Sequence, residues 1–330
     1  LFEDVTDRIA FAFTHHENDF VDFDRERLMP RLVSTEGPPM AVADVNGDGT
    51  GDAVIGAYED DTGGTAAGTT FVSYGPLSGG NYNVRNSYDA AFIGDAGSYA
   101  GRYVRAGGDV SGDGIGDILL AAPYSSKAKP YAGAVYLVAG GQTGDIAIDS
   151  AADAIFLGET PSDYAGEDLD MGDTNGDGYA EVVIGSYNNG SGSGVGAAYL
   201  TLGPCTGTID LASTDVVIEG DNIGQYFGIG LGIADTDGDG NGELVVGATG
   251  DGGGIPGGGA AYLFFGPQSG SLGPSDAEAV FFGSVAAEGA GEGIAFGDMD
   301  GNGQVDVLVG APAESTGGSS AGAFYVMNNY

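Results

Sequence analysis

The chain is predicted to be all-β, a β-propeller of four-stranded blades. Three observations predict this: an acidic loop occurs five times, each copy runs into a short β-branched strand, and two more short strands follow in the same order. The loops are Asp44-Val-Asn-Gly-Asp-Gly, Asp109-Val-Ser-Gly-Asp-Gly, Asp173-Thr-Asn-Gly-Asp-Gly, Asp235-Thr-Asp-Gly-Asp-Gly and Asp298-Met-Asp-Gly-Asn-Gly. Successive starts are separated by 65, 64, 62 and 63 residues, an interval set by a repeating structural unit. Residues 1–39 form an amino-terminal arm, and 40–330 divides into repeats near 40–98, 99–163, 164–225, 226–288 and 289–330. A five-bladed ring is expected, with a larger ring as the alternative.

Each loop has the donor pattern of a calcium cage. Oxygen-bearing side chains stand at positions 1, 3 and 5: Asp44, Asn46 and Asp48; Asp109, Ser111 and Asp113; Asp173, Asn175 and Asp177; Asp235, Asp237 and Asp239; Asp298, Asp300 and Asn302. Position 7 offers a backbone carbonyl, from Thr50, Ile115, Tyr179, Asn241 or Gln304, so its side chain is unrestricted. Position 9 carries a carboxylate: Asp52, Asp117, Glu181, Glu243 or Asp306. Calcium takes six to eight hard oxygens, and a short loop presents them only where glycine permits tight bends, here at positions 4 and 6. About five ions are expected. An EF-hand would need an acid at position 12 opening a helix, whereas here position 12 is Ile55, Leu120, Ile184, Val246 or Val309. The cage therefore sits in a β-hairpin. The competing reading is an acidic turn that uses Asn-Gly and Asp-Gly for their backbone conformations alone.

The second strand of each repeat is AVIGA, ILLAAP, VVIGS, LVVGA or VLVGAP, too short for a helix. Third strands run from Gly68, Gly133, Gly196, Gly259 and Gly322, and fourth strands are AAFIGD, AIFLGE, VVIEGD and AVFFGS. Tyrosine and phenylalanine within them are expected to pack between blades.

These motifs together resemble the integrin-α-type FG-GAP repeat family. The matching starts are Tyr99-Ala100-Gly101, Tyr164-Ala165-Gly166, Tyr226-Phe227-Gly228 and the degenerate Gly289-Ala290-Gly291. The matching ends are Gly56-Ala57-Tyr58, Ala121-Ala122-Pro123, Gly185-Ser186-Tyr187, Gly247-Ala248-Thr249 and Gly310-Ala311-Pro312. The opening LFEDVTDRIAFAFTHHEND is similar to bacterial FG-GAP/VCBS-like extracellular proteins and cartilage-acidic-protein-like chains. The resemblance implies calcium hairpins on one face and ligand contact on the opposite one, through loops 58–66, 124–132, 187–194, 249–258 and 313–320. Family propellers usually have seven blades, so five repeats are a departure. The loop 124–132 holds Lys127 and Lys129, the only lysines, which could seat an acidic neighbour or be solvated.

The last repeat stops after its third strand, leaving an edge that Leu1–Thr6 or Ile9–Thr14 of the arm could pair, within the chain or in a neighbour. His15 and His16 are adjacent and point to opposite faces of an extended segment, which disfavours joint chelation. Arg25, Arg27 and Arg31 are expected either to bridge the arm to the acidic body or to be solvated.

A formal charge of −39, with 48 acidic against 9 basic residues, excludes nucleic acid and anionic membranes as partners. Sixteen of the acids lie in the five loops. Cys205 is alone and is expected to be a buried small hydrophobe, and no apolar run is long enough to insert in a membrane. The absence of an initiator Met and of disulfides, with loops of this kind, suggests a processed extracellular or cell-surface chain. The expected role is non-enzymatic: an adhesion or structural assembly module, with a protein partner or self-assembly into a homo-oligomer, filament or surface layer through the arm. The alternative is the propeller domain of a secreted hydrolase or lyase, to be sought in uncommitted acids at the ring's centre. A calcium buffer is less well matched by rigid hairpins.

Overall fold

The computed structural model describes residues 39–77, 83–190, 192–315 and 321–327. The readings placed on the arm, its histidines and its arginines therefore lie outside the described residues. Alternating β-branched and aromatic positions form five sheets. The first holds β1 (Met40–Ala43), β2 (Asp52–Ala57), β3 (Thr69–Ser73) and β4 (Ala90–Ile93); the second β5 (Val104–Ala106), β6 (Ile118–Ala122), β7 (Ala134–Val138) and β9 (Ala154–Leu157). The third holds β10 (Leu169–Gly172), β11 (Glu181–Ser186), β12 (Ala197–Thr201) and β14 (Val216–Glu219). The fourth holds β15 (Phe227–Ala234), β16 (Glu243–Ala248), β17 (Ala260–Phe264) and β19 (Ala279–Phe282), and the fifth β20 (Gly293–Gly297), β21 (Asp306–Ala311) and β22 (Ala323–Met327). These strands pair antiparallel in sequence order, and each acidic loop joins the first strand of its sheet to the second.

The four-stranded unit needs correction. A fifth strand pairs in parallel with the fourth in three sheets: β8 (Gly144–Ala147) beside β4, β13 (Gly207–Asp210) beside β9, and β18 (Gly270–Leu272) beside β14. Each is lent by the following repeat, whose chain crosses back after its own third strand. The loan satisfies an edge that would otherwise expose unpaired N–H and C=O groups. Its sequence signal is Gly144, Gly207 and Gly270, equally spaced and all at positive φ (88°, 76° and 75°), each followed by an apolar residue two positions on.

Consecutive sheets pack face to face because their central strands are apolar on both sides. In β6, Ile118, Leu120 and Ala122 join Val54, Val72 and Phe92 of the first sheet, while Leu119 and Ala121 join Val182, Ile184 and Tyr199 of the third. Two further clusters link the third sheet to the fourth and the fourth to the fifth. The third-strand tyrosines lie in these layers with their hydroxyls paired: Tyr199 donates to Glu159 (3.0 Å) and Tyr325 to Glu288 (2.8 Å). Cys205 is buried, and burial pushes its thiol up to about 12. The outward faces of the end sheets stay apolar and open: Met40 and Val42 on β1 are 59% and 69% exposed, and Phe324 on β22 is 52% exposed.

The repeat's start and end motifs meet across sheets. A Cβ added at Gly56 would lie 2.0 Å from the carbonyl oxygen of Gly101, one at Gly185 2.1 Å from that of Gly228, and one at Gly247 1.8 Å from that of Gly291. The glycine ending one second strand thus touches the glycine opening the next repeat. Among the described residues no helix is long and apolar enough to cross a membrane.

Candidate functional site

All five acidic loops fold alike. The position-1 carboxylate caps the turn: Asp44 accepts from the N–H of Gly47 (2.8 Å) and Gly49 (2.8 Å), Asp109 from Gly112 (2.7 Å) and Gly114 (2.8 Å), and Asp298 from Gly301 (2.7 Å) and Gly303 (2.9 Å). Asp173 and Asp235 repeat the pattern. At position 5, Asp48, Asp113, Asp177, Asp239 and Asn302 each accept the N–H of position 7, over 2.7–2.9 Å. Hydrogen bonds from Thr50, side chain before backbone, hold Asp48 below the usual carboxylate range.

The position-9 acids are buried and tie each loop to its sheet. Asp52 accepts from Val45 N–H (2.8 Å) and from Gly75 N–H beyond β3 (2.7 Å), and Asp306 from Met299 N–H (2.8 Å). Where position 9 is glutamate, position 2 is threonine: Glu181 takes both N–H and hydroxyl of Thr174 (2.6 and 2.9 Å), and Glu243 both of Thr236 (2.6 and 2.6 Å). The longer acid reaches a hydroxyl that aspartate loops replace with Val45, Val110 or Met299. Burial pushes Asp117 up to about 6.

The donor set fits a hard cation in kind, since every side chain turned into these loops is an oxygen donor. Two loops bring three carboxylates within 4.8 Å of one another: Asp235, Asp237 and Asp239, and Asp298, Asp300 and Asp306. In the former, Glu243 is directed instead at Thr236. The first three loops have Asn46, Ser111 and Asn175 at position 3, so each presents one carboxylate fewer than the fourth.

At the other end of the strands, where first strands begin and second strands finish, lies a cavity of about 460 Å³. Every repeat contributes to it: Met40 from β1, Tyr103 just before β5 and Arg105 within it, Asp168 just before β10, Ile229 from β15 and Ile294 from β20. Arg105 pairs with Asp168 (3.1 Å) and Asp170 (3.6 Å), and these acids accept N–H groups of Leu231 (2.8 Å) and Ile233 (2.9 Å) on β15. One arginine thus couples three sheets. Arg102 lies over the Tyr58 ring, 4.7 Å from its centroid, beside Tyr103, whose hydroxyl bonds Glu167 (3.3 Å). Sequence reasoning missed these residues. Their signal was a departure from the repeat: two of nine basic residues at the start of one first strand, and acids at 167, 168 and 170 outside any acidic loop.

Burial pushes Asp168 up to about 6, with Arg105 pulling the other way. The fold therefore prefers the protonated acid, and this group's contribution is complete below about pH 4 and lost as pH rises through about 6. Wild type should lose stability relative to Asp168→Asn across that window in urea unfolding. A pH-independent difference between the two would mean the carboxylate is solvated in the fold.

On the same face, tyrosines form a chain of ring contacts from Tyr99 through Tyr124, Tyr164 and Tyr187 to Tyr226, with centroids 5.0–6.1 Å apart. The two lysines are engaged within the chain: Lys127 with Asp149 (2.5 Å) and Asp95 (3.6 Å), Lys129 with the carbonyl oxygen of Glu159. Only the Lys127–Asp95 pair crosses from one repeat to the next; the other two contacts lie within the repeat that holds the lysines.

The FG-GAP repeat family's model matches residues 104–138 and 290–327, so the chain carries FG-GAP repeats. Both segments span the first three strands of a sheet with their acidic loop. Among curated proteins, the chain is similar to phosphatidylinositol-glycan-specific phospholipase D of Rattus norvegicus, 34% identical over 95 residues (27% of this chain, 11% of that protein). The Homo sapiens protein of the same name is 32% identical over 168 residues (48% and 20%). The chain thus spans no more than 20% of these relatives' length. Among solved structures, it is similar to a V. cholerae biofilm matrix protein (TM-score 0.40, 16% identity, 88% of this chain and 37% of that one). It is also similar to a Bacillus licheniformis rhamnogalacturonan lyase (TM-score 0.44, 14% identity, 87% and 48%).

Proposed function

We propose that the five sheets are blades of a calcium-stabilised β-propeller, and that the molecule is an extracellular module for adhesion or structural assembly. The observation that carries this is a cavity lined by all five repeats, at or just before their first strands, with the five acidic loops at the opposite strand ends. Calcium would be held by the oxygens at positions 1, 3, 5, 7 and 9 of each loop, where it would offset clustered carboxylates in a chain of net charge −39. The open apolar faces of β1 and β22 ask for a cover, and residues 1–38 of the same chain, or of a second copy, are the proposed one.

Molar mass by light scattering in millimolar calcium tests the assembly reading. A 33 kDa particle means the arm acts within its own chain, and polymers lost on deleting residues 1–14 mean that it is exchanged between chains. Equal polymers with and without those residues would remove the arm from the proposal.

The second reading, a propeller domain within a longer secreted hydrolase or lyase, is favoured by the acids at the cavity. Against a catalytic role for Asp168, both its oxygens are committed, one to Leu169 N–H (2.9 Å) and Arg105, the other to Leu231 N–H. Binding is therefore the better-supported use of this face.

A further inference from the structure

From the chemistry of the central cavity we infer a binding site for a neutral, hydroxyl-rich ligand the size of one sugar unit. This goes beyond the adhesion reading by naming a ligand class, and it stands on the cavity itself, whether or not the loops bind calcium.

At about 460 Å³ the cavity lies in the range of small-molecule sites. Arg102 and Arg105 are two of the five basic residues in the described part of a strongly acidic chain. Arg105 is occupied by Asp168 and Asp170, but the Nε of Arg102 is buried with no hydrogen-bond partner. That atom has no surface a ligand could reach, so an acceptor oxygen in the cavity would meet Arg102 at the outer nitrogens of its guanidinium. The Tyr58 and Tyr103 rings fix the guanidinium from its sides, so those donors are held in place. Acceptors line the same space: Glu167 beside the Tyr103 hydroxyl, and Glu292 on the exposed rim.

Net charge then selects the ligand. Cationic and anionic groups stand side by side in the cavity, so a ligand with a formal charge meets a like charge within it. A polyol meets none: its oxygens can accept from Arg102 and its hydroxyls donate to Glu167 and Glu292. Aromatic faces beside these polar groups suit the apolar C–H face of a sugar ring.

The test uses the intact protein in millimolar calcium with D-galactose, D-glucose and L-rhamnose as neutral probes, D-galacturonate as the anionic probe and L-arginine as the cationic one. Ligand-observed saturation-transfer NMR gives binding, and titration gives affinity. At least one neutral sugar is expected to bind, and Arg102→Lys, which keeps the charge but loses the planar fork, should weaken it about tenfold. Glu292→Gln, on the exposed rim, should weaken it too and guards against misfolding of the first variant. The inference is overturned if no neutral probe binds the folded protein, if galacturonate or arginine alone binds, or if both variants bind like wild type.

Discussion

Chelating calcium with EGTA is expected to lower the melting temperature of this protein by about 10 °C or more. A ligand at a hundredfold excess over its dissociation constant stabilises the folded state by about 2.7 kcal/mol, and each kcal/mol shifts a large domain by about 2–4 °C. One saturated loop therefore accounts for about 5–10 °C, and the repeat offers five. The fourth and fifth loops, with three carboxylates within 4.8 Å, should contribute most. Asp300→Asn separates metal binding from turn formation, because the amide oxygen can still accept from the N–H of Asn302, as asparagine does at this position in the first and third loops, while the charge is gone. That variant should lose part of the calcium-dependent shift and melt no lower than wild type in EGTA. A melting temperature indifferent to EGTA would leave the loops as acidic turns, closed by their own hydrogen bonds.

Gly247→Ala is expected to cost about 3 kcal/mol, at the upper end of what one added methyl does to a packed interior. The new Cβ would lie 1.8 Å from the carbonyl oxygen of Gly291 and 2.8 Å from its carbon, and backbone cannot rotate away as a side chain can. The loss should appear as a lower midpoint in urea unfolding. Gly293→Ala is the matched control: it lies one sheet away in β20, with no atom within 4 Å of the added carbon and no positive φ to strain. It should be neutral or stabilise slightly, by up to about 1 kcal/mol, because alanine restricts the unfolded chain more than glycine. Equal effects at the two positions would mean that the sheets separate to admit a methyl group, contrary to the close contact seen between them.

The all-β class and the identity of the second, third and fourth strands were legible because each rests on local information. Asp-x-Asn-Gly-Asp-Gly specifies its own turn through hydrogen bonds spanning five residues, and runs such as Val182–Ile184 specify a strand buried on both faces. The meeting of Gly56 with Gly101 was not legible, since neither glycine reveals its neighbour, although both stood out as motif positions. The parallel strands at Gly144, Gly207 and Gly270 were passed over because three or four largely exposed residues show little hydrophobic pattern, and their pairing partner belongs to the preceding repeat. Likewise, Arg102, Arg105, Glu167 and Asp168 carry no local motif, and they share a cavity only because first strands from separate repeats converge. By itself, then, the sequence determined the repeat and the turn chemistry of its loops, both set by contacts within about ten residues. Tertiary structure alone decided the borrowed strands, the touching glycines and the central cavity, because each joins residues 43 or more positions apart whose proximity is created by stacking one sheet upon the next.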